Sequence, residues 1–404
     1  MDSHVLCLGG EDHALRIPFL LALRDRGFRV TAASSGGGEP FRAVGLTHLP
    51  WHFDRFDRRG GDLGAIARIA SLVAECRPDL IQTFDTKPNL LAPLAVRGAV
   101  PVIRTINGMG WTFSPGGGMR ARLIRPVYRL LQRATARWSA ATVFQNADDK
   151  AYFERHGLVS RDAAHLVRSS GIDVAAFRTA LAASRDPGIL RQELGLGDAQ
   201  VVVTVSRLTR QKGIGTLLKA ARIVARARPR VKFLLVGPRE SEGPFAIDAA
   251  EIEAAGPNVM ALGHRRDVPA LLALADAFVL PTQYREGVPR ALLEAGLAGL
   301  PMVATRMPGC TDVVTEGWNG HLVEPGDAAA LAQRILGLLE DPAEARVMGL
   351  RSIAFVARAF SLEGVVDSYR DIYRQMLRPR IAPVRPAPAV RELASAARAD
   401  GERP

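Results

Sequence analysis

Cysteine is scarce in this chain, with three in 404 residues. Cys7, Cys76 and Cys310 are odd in number and far apart, which fits reduced thiols in apolar segments and argues against a disulfide framework or a metal site. No run of about 18 apolar residues occurs, so no transmembrane helix is expected. Aromatic residues make up only 6%. Neither zinc-finger spacing nor an aromatic-rich RNA-recognition motif is present, which argues against nucleic acid as a partner despite the net charge of +12. The opening MetAspSerHis runs directly into ValLeuCysLeu without the basic start or the length of a secretion signal, so a cytoplasmic protein is expected. An AspXaaAsp triplet is also missing. A metal held by paired aspartates therefore has no evident ligands, and neither a metal nor a cofactor is expected.

Short runs rich in branched apolar residues alternate with amphipathic helical stretches from end to end, the pattern of an α/β protein with parallel sheets. The length suits two domains sharing one cleft. In the first half, strands are expected near Val5 to Leu8, Phe28 to Ala32, Leu80 to Phe84, Val100 to Thr105 and Ala141 to Phe144. The same grammar restarts at Val201 to Val205 and continues with Val231 to Val236, Ala277 to Leu280, Met302 to Thr305 and His321 to Val323. SerArgAspProGly at 184–188 breaks helix and strand alike, which places the domain boundary there. The expected organisation is a first domain at 1–185 and a second at 186–360. A helix at 361–378 packs back toward the first domain, and a Pro/Arg/Ala-rich disordered tail follows at 379–404.

Glu286 and Glu294 stand eight positions apart around a turn that Gly287 and Pro289 favour, one in the loop and one inside the following helix. Eight helical residues rise roughly 12 Å. Such a pair suits the two ends of an extended polar ligand, such as a nucleoside diphosphate sugar, better than one shared proton. Arg207 and Lys212 follow an expected strand and precede a helix, where α/β sheets place phosphates. They are either diphosphate ligands or a solvated basic turn, and the two downstream glutamates favour the first. Gly9 and Gly10, after the first strand, either let the backbone approach a diphosphate or form a plain tight turn. Asn107 and Gly108 leave another strand toward the same cleft. His13 and Arg16 are candidate acceptor or sugar contacts, or ordinary helix-surface residues.

The segment 119–138 is basic and amphipathic. Arg120, Arg122, Arg125, Arg129, Arg133 and Arg137 stand against Leu123, Ile124, Val127, Leu130, Leu131 and Trp138. Such a helix either lies on an anionic membrane surface or packs an apolar stripe into a core and solvates its arginines.

ArgLeuThrArgGlnLysGly at 207–213, GlyHisArgArgAspValPro at 263–269, the Glu286 to Glu294 segment and MetProGlyCysThrAspValValThrGluGlyTrpAsnGly at 307–320 resemble the donor half of retaining glycosyltransferase family 4. More loosely, ThrIleAsnGlyMetGlyTrp at 105–111, ValPheGlnAsn at 143–146 and SerSerGlyIleAsp at 169–173 are similar to bacterial sugar transferases acting on undecaprenyl-linked acceptors. The resemblance implies the GT-B fold, two Rossmann-like domains facing a central cleft. It implies that Arg207 and Lys212 hold the donor diphosphate, Glu294 the ribose hydroxyls and Glu286 the transferred sugar. Gly10, Gly237, Arg265, Gly287 and Val288 would also line the donor site. Many relatives carry histidine where this chain has Asn107, which puts an acid or base role there in doubt.

The implied function is retaining, metal-independent transfer of a sugar from a nucleoside diphosphate donor, UDP favoured, to a lipid-diphosphate-linked glycan. Such an enzyme would act as a peripheral protein at the inner face of the membrane. The cations would stabilise charge on the departing diphosphate in place of a metal. A soluble acceptor is the nearer alternative; a sugar-binding or nucleic-acid-binding protein without catalysis is the distant one.

Overall fold

The computed structural model describes residues 2–51, 61–114 and 118–377; the expected tail at 379–404 lies outside them. The first domain is built on seven strands: β1 (His4–Leu8), β2 (Arg29–Ser34), β3 (Thr47–Pro50), β4 (Leu80–Phe84), β5 (Val102–Ile106), β6 (Ala141–Phe144) and β7 (Ala164–Leu166). They pair in the order β3-β2-β1-β4-β5-β6-β7, and every pairing is parallel. The second holds β8 (Val201–Val205), β9 (Lys232–Val236), β10 (Val259–Gly263), β11 (Ala277–Leu280), β12 (Met302–Thr305) and β13 (Gly320–Val323). Its order is β10-β9-β8-β11-β12-β13, again all parallel.

Burial on both faces explains why the central strands read as continuous apolar runs. Along β1, Val5 and Cys7 pack with Phe19, Leu20 and Phe84 on one face. Leu6 and Leu8 pack with Ile69, Leu72 and Leu91 on the other. Helix Leu362–Leu377 lies on the first of these faces and gives it Val365, Val366, Tyr369 and Tyr373. Both tyrosines bury their rings and still satisfy their hydroxyls: Tyr369 at Thr105 Oγ1, 2.9 Å, and Tyr373 at Gln82 Oε1, 2.9 Å. All three thiols are free, with Cys7 and Cys310 buried.

The chain crosses between domains earlier than the break at 184–188 suggests. Ile172 and Phe177 already belong to the core of the second domain, alongside Val203, Leu234 and Leu292. At the crossing the two passing segments pair: Ile172 N–H donates to the Phe360 carbonyl and Leu362 N–H to the Ile172 carbonyl, 2.9 Å each. The boundary expected at 185/186 therefore moves to about Ile172, because the apolar face of helix Val174–Ala182 needs the second core. SerArgAspProGly instead starts a short helix, Pro187–Glu193, capped by Asp186 Oδ1 on the Gly188 and Ile189 amides.

Candidate active site

In a parallel doubly wound sheet, ligands lie beyond the carboxyl ends of the strands. The loops leaving β5 and β11 meet there. Gly287 N–H donates to the Asn107 carbonyl at 2.8 Å, and Gly110 N–H donates to the Arg285 carbonyl at 2.8 Å. The approach needs glycine. Gly108 has φ +103°, and a Cβ there would stand 2.5 Å from the Glu286 Cα. One on Gly287 would stand 2.1 Å from Gln145 Oε1.

On the second-domain wall, Arg207 and Lys212 share the loop between β8 and helix Ile214–Ala227. That loop folds against the β11 exit, since a Cβ on Gly213, at φ +72°, would fall 1.8 Å from the Pro281 carbonyl oxygen. Lys212 Nζ donates to both carboxylate oxygens of Glu286 at 2.7 Å, with both side chains mostly shielded from water. Two residues expected to serve the diphosphate and the sugar are thus in direct contact. Arg207 makes a different contact, Nη1 to Glu242 Oε2 at 2.9 Å. Nothing in the sequence pattern singles out Glu242, which lies on the segment Glu240–Phe245, just before the bridge that Ala246 makes with Thr209. Gly237 follows β9 at φ +146° with its Cβ position 1.9 Å from the Ser206 carbonyl oxygen, so it lets the β8 loop pass close.

Glu294 lies within helix Arg290–Leu297 and accepts from Arg290 Nε at 2.8 Å. Val288 is half-buried beside Gly287. Arg265 turns onto its own loop, Nε and Nη2 2.8 and 2.5 Å from the Asp267 carboxylate, and this hydrogen bonding holds the Asp267 carboxyl below its ordinary range. It touches none of the other expected donor residues among the contacts of the described residues.

On the first-domain wall, Asp85 is a residue that the sequence reading passes over. Its Oδ2 accepts from Gly10 N–H at 3.1 Å and its Oδ1 from Asn107 Nδ2 at 3.3 Å. Arg16 Nη2 stands 4.0 Å from Oδ1, with its guanidinium 4.0 Å above the Phe84 ring. Gly10, Arg16 and Asn107, expected in the cleft on separate grounds, gather around this one carboxylate. His13 requires a correction. It is 1% exposed, packed under Gly9 and between Phe41 and Phe84, so it is no surface contact for an acceptor. Burial, with the nearby Arg16 charge, lowers its pKa to about 3 and keeps the imidazole neutral.

Helix Gly118–Ala136 is turned opposite to a core-stripe helix. Met119, Leu123, Val127 and Leu130 are 69, 70, 55 and 68% exposed. Three arginines bond the protein: half-buried Arg125 and Arg129 donate Nε to the Thr112 carbonyl and the Tyr152 hydroxyl, and exposed Arg133 donates Nη2 to the His156 carbonyl. Buried Arg104 fixes this roll by donating to Gln132 Oε1 and Thr135 Oγ1 on the polar side of the helix. Arg122 is exposed, and the side chain of Arg120 lies outside the described set. No helix among the described residues is long and apolar enough to cross a membrane. Nor do they gather three His, Cys, Asp or Glu side chains that could hold a metal ion. A groove of about 480 Å³ lined by Ile223, His321, Gln333 and Arg334 lies away from the strand-end loops.

Two parallel-sheet domains with cationic and acidic loops converging between their strand ends define a doubly wound α/β protein with one polar cleft. Residues 199–341 match the family described as glycosyl transferases group 1, and residues 19–170 match the glycosyl transferase 4-like domain. A Campylobacter jejuni N,N'-diacetylbacillosaminyl-diphospho-undecaprenol alpha-1,3-N-acetylgalactosaminyltransferase is 24% identical over 92% of this chain and 97% of its own length. A Corynebacterium glutamicum GDP-mannose-dependent monoacylated alpha-(1-6)-phosphatidylinositol monomannoside mannosyltransferase is 30% identical over 67% of this chain and 71% of its own. Among solved structures, Anabaena Alr3699/HepE in complex with UDP-glucose superposes with a TM-score of 0.75 at 21% identity, covering 92% of this chain and 99% of that one. The chain belongs to the family 4 type glycosyltransferases and has their GT-B fold. It is a sugar-transferring enzyme.

Proposed function

We propose that the enzyme transfers a sugar from a nucleoside diphosphate donor, UDP favoured, to a lipid-diphosphate-linked glycan, with retention and without a metal ion. The observation that carries the reading is the position of Arg207 and Lys212 on one loop at the end of β8, with Glu286 held against Lys212. As the bond from the anomeric carbon to the diphosphate breaks, negative charge grows on the leaving oxygens, and fixed cations stabilise that state more than the ground state. The acceptor oxygen bonds to the same face of the anomeric carbon, and its proton passes to a leaving phosphate oxygen. Glu286 faces the sugar, where positive charge develops on the ring. Glu294 accepts from the ribose hydroxyls, as acidic residues do in other nucleotide-binding folds.

The lipid-linked acceptor draws support from the activity that names the Campylobacter jejuni relative, and the UDP donor from the UDP-glucose bound in the Anabaena structure. The outward apolar face of helix Gly118–Ala136 supports a peripheral position at a membrane. A thermal-shift screen of UDP, GDP and ADP sugars tests the donor. The winning sugar is then assayed with a polyprenyl-diphosphate-linked acceptor in the presence of EDTA, with the anomeric configuration of the product read by NMR. Inverted product, or turnover abolished by EDTA and restored by a divalent ion, would refute the mechanism.

A further inference from the structure

Asp85 stands where a helix cap is expected and does not cap. It precedes helix Thr86–Val96, a position at which aspartate ordinarily accepts from a first-turn amide, yet its side chain makes no such bond. Its backbone takes φ 71° and ψ 163°, a region essentially reserved for glycine and retained elsewhere chiefly at functional sites. This conformation turns the carboxylate toward Gly10, Arg16 and Asn107 in the cleft, and its side chain remains 43% exposed.

The pairing with Arg16 accounts for a charge here, but not for the strained backbone or for a carboxylate left partly open to the cleft. Glycine would adopt this backbone without steric cost, yet a carboxylate stands here, its two oxygens shared among Gly10, Asn107 and Arg16. The position in the cleft is informative. Asn107, bonded to Asp85 through its side chain, is bonded through its carbonyl to Gly287, the neighbour of Glu286. Asp85 is thus one residue removed from the loop that faces the transferred sugar, on the opposite domain. A carboxylate there repels a diphosphate and favours neutral hydroxyls, to which charged acceptors bond about twice as strongly as neutral ones.

We infer that Asp85 is an acceptor-binding residue whose carboxylate receives hydrogen bonds from hydroxyls of the acceptor's terminal sugar. The inference rests on the transferase reading above. With the Arg16 guanidinium on the same wall, it presents both an acceptor and donors to a polyol. A site built to hydrogen-bond a hydroxyl strongly rejects an analogue that lacks it.

The test uses the full chain, the UDP-sugar that gives the largest thermal shift, and a synthetic polyprenyl-diphosphate-linked N-acetylhexosamine. Asp85→Asn should lower kcat/KM for this acceptor about tenfold or more, with the donor KM and the donor-induced thermal shift unchanged. Asp85→Gly, which removes carboxylate and strain together, should show the same loss with a melting temperature equal to or above that of wild type. Unchanged acceptor kcat/KM in both variants overturns the inference while leaving the transferase reading intact. Loss of the donor shift in Asp85→Asn also overturns it, by assigning the carboxylate to the donor. Wild type that binds donor but glycosylates no such lipid refutes the acceptor reading and this inference together.

Discussion

Arg285 reaches from the loop after β11 to Asp149 in the first domain, its Nε 2.7 Å from Oδ1. The backbone of Arg285 is held from the same side, its N–H by Ser114 Oγ at 2.9 Å and its carbonyl by Gly110 N–H at 2.8 Å. Residue 285 is therefore clamped by the opposite domain. Because Glu286 follows it directly, the place of that carboxylate is set by closure of the cleft as well as by its own domain.

Asp149 is fully buried, and burial raises its carboxyl pKa despite the opposing effect of Arg285. Removing one partner of a buried pair costs about 3–5 kcal/mol because the other charge stays uncompensated. Arg285→Ala should accordingly disfavour the closed state. Small-angle scattering should show a larger radius of gyration, and kcat should fall more than donor affinity. An unchanged radius and unchanged kcat would show that the pair does not hold the domains together.

The two glutamates separate by their partners. Glu286 is neutralised by Lys212 inside the cleft, whereas Glu294 contacts only the exposed Arg290 among the pairs of the described residues. Glu286→Ala should lower turnover about a hundredfold while donor affinity holds or tightens, since Lys212 then keeps its full charge for the diphosphate. Glu294→Ala should weaken donor binding about tenfold with a smaller effect on turnover. Titration calorimetry and steady-state kinetics on both variants check the division, and identical profiles would count against it.

Neutral buried His13 makes stability depend on pH. Its folded pKa of about 3 lies below the ordinary 6.5, so between those values the unfolded chain binds a proton that the folded chain does not. Stability then rises with pH through this window, by up to about 1.4 kcal/mol per unit, and levels off above it. His4, His48 and His165 are shifted in the same direction by burial. The melting temperature should fall from pH 7 to pH 5, and His13→Leu should flatten part of that slope. A slope untouched by the substitution would place the linkage in the other histidines.

The central strands were legible in the sequence because two-sided burial leaves an uninterrupted apolar run, as in ValValValThrVal at 201–205. The strands missed were β3, β7 and β10, all at sheet edges. There one flank lacks a partner strand, burial is partial and the apolar run breaks up. Motif spacing brought Lys212 and Glu286 into view, but not what each touches. Asp85 and Glu242 stayed hidden for a related reason. One owes its significance to a backbone dihedral and three neighbours from separate loops, the other to a cross-loop pair with Arg207. Charge patterning also misled at helix Gly118–Ala136, where arginine was expected to face solvent or lipid. The guanidinium groups of Arg125, Arg129 and Arg133 instead bond protein carbonyls and a tyrosine hydroxyl.

That inversion changes how the proposed membrane contact would work. Fully burying a large apolar side chain is worth about 1.5–3 kcal/mol, against about 1 kcal/mol for a basic residue near an anionic surface. With Leu123, Val127 and Leu130 outward and Arg125, Arg129 and Arg133 bonded to the protein, apolar insertion outweighs electrostatic attraction. Flotation with liposomes should therefore persist in high salt, which screens charges beyond a few ångströms, and should tolerate Arg122→Gln. The pair Leu123→Gln with Val127→Gln should abolish it without lowering the melting temperature, because neither side chain packs in a core. Binding lost in salt but kept in the double variant would return the contact to the arginines.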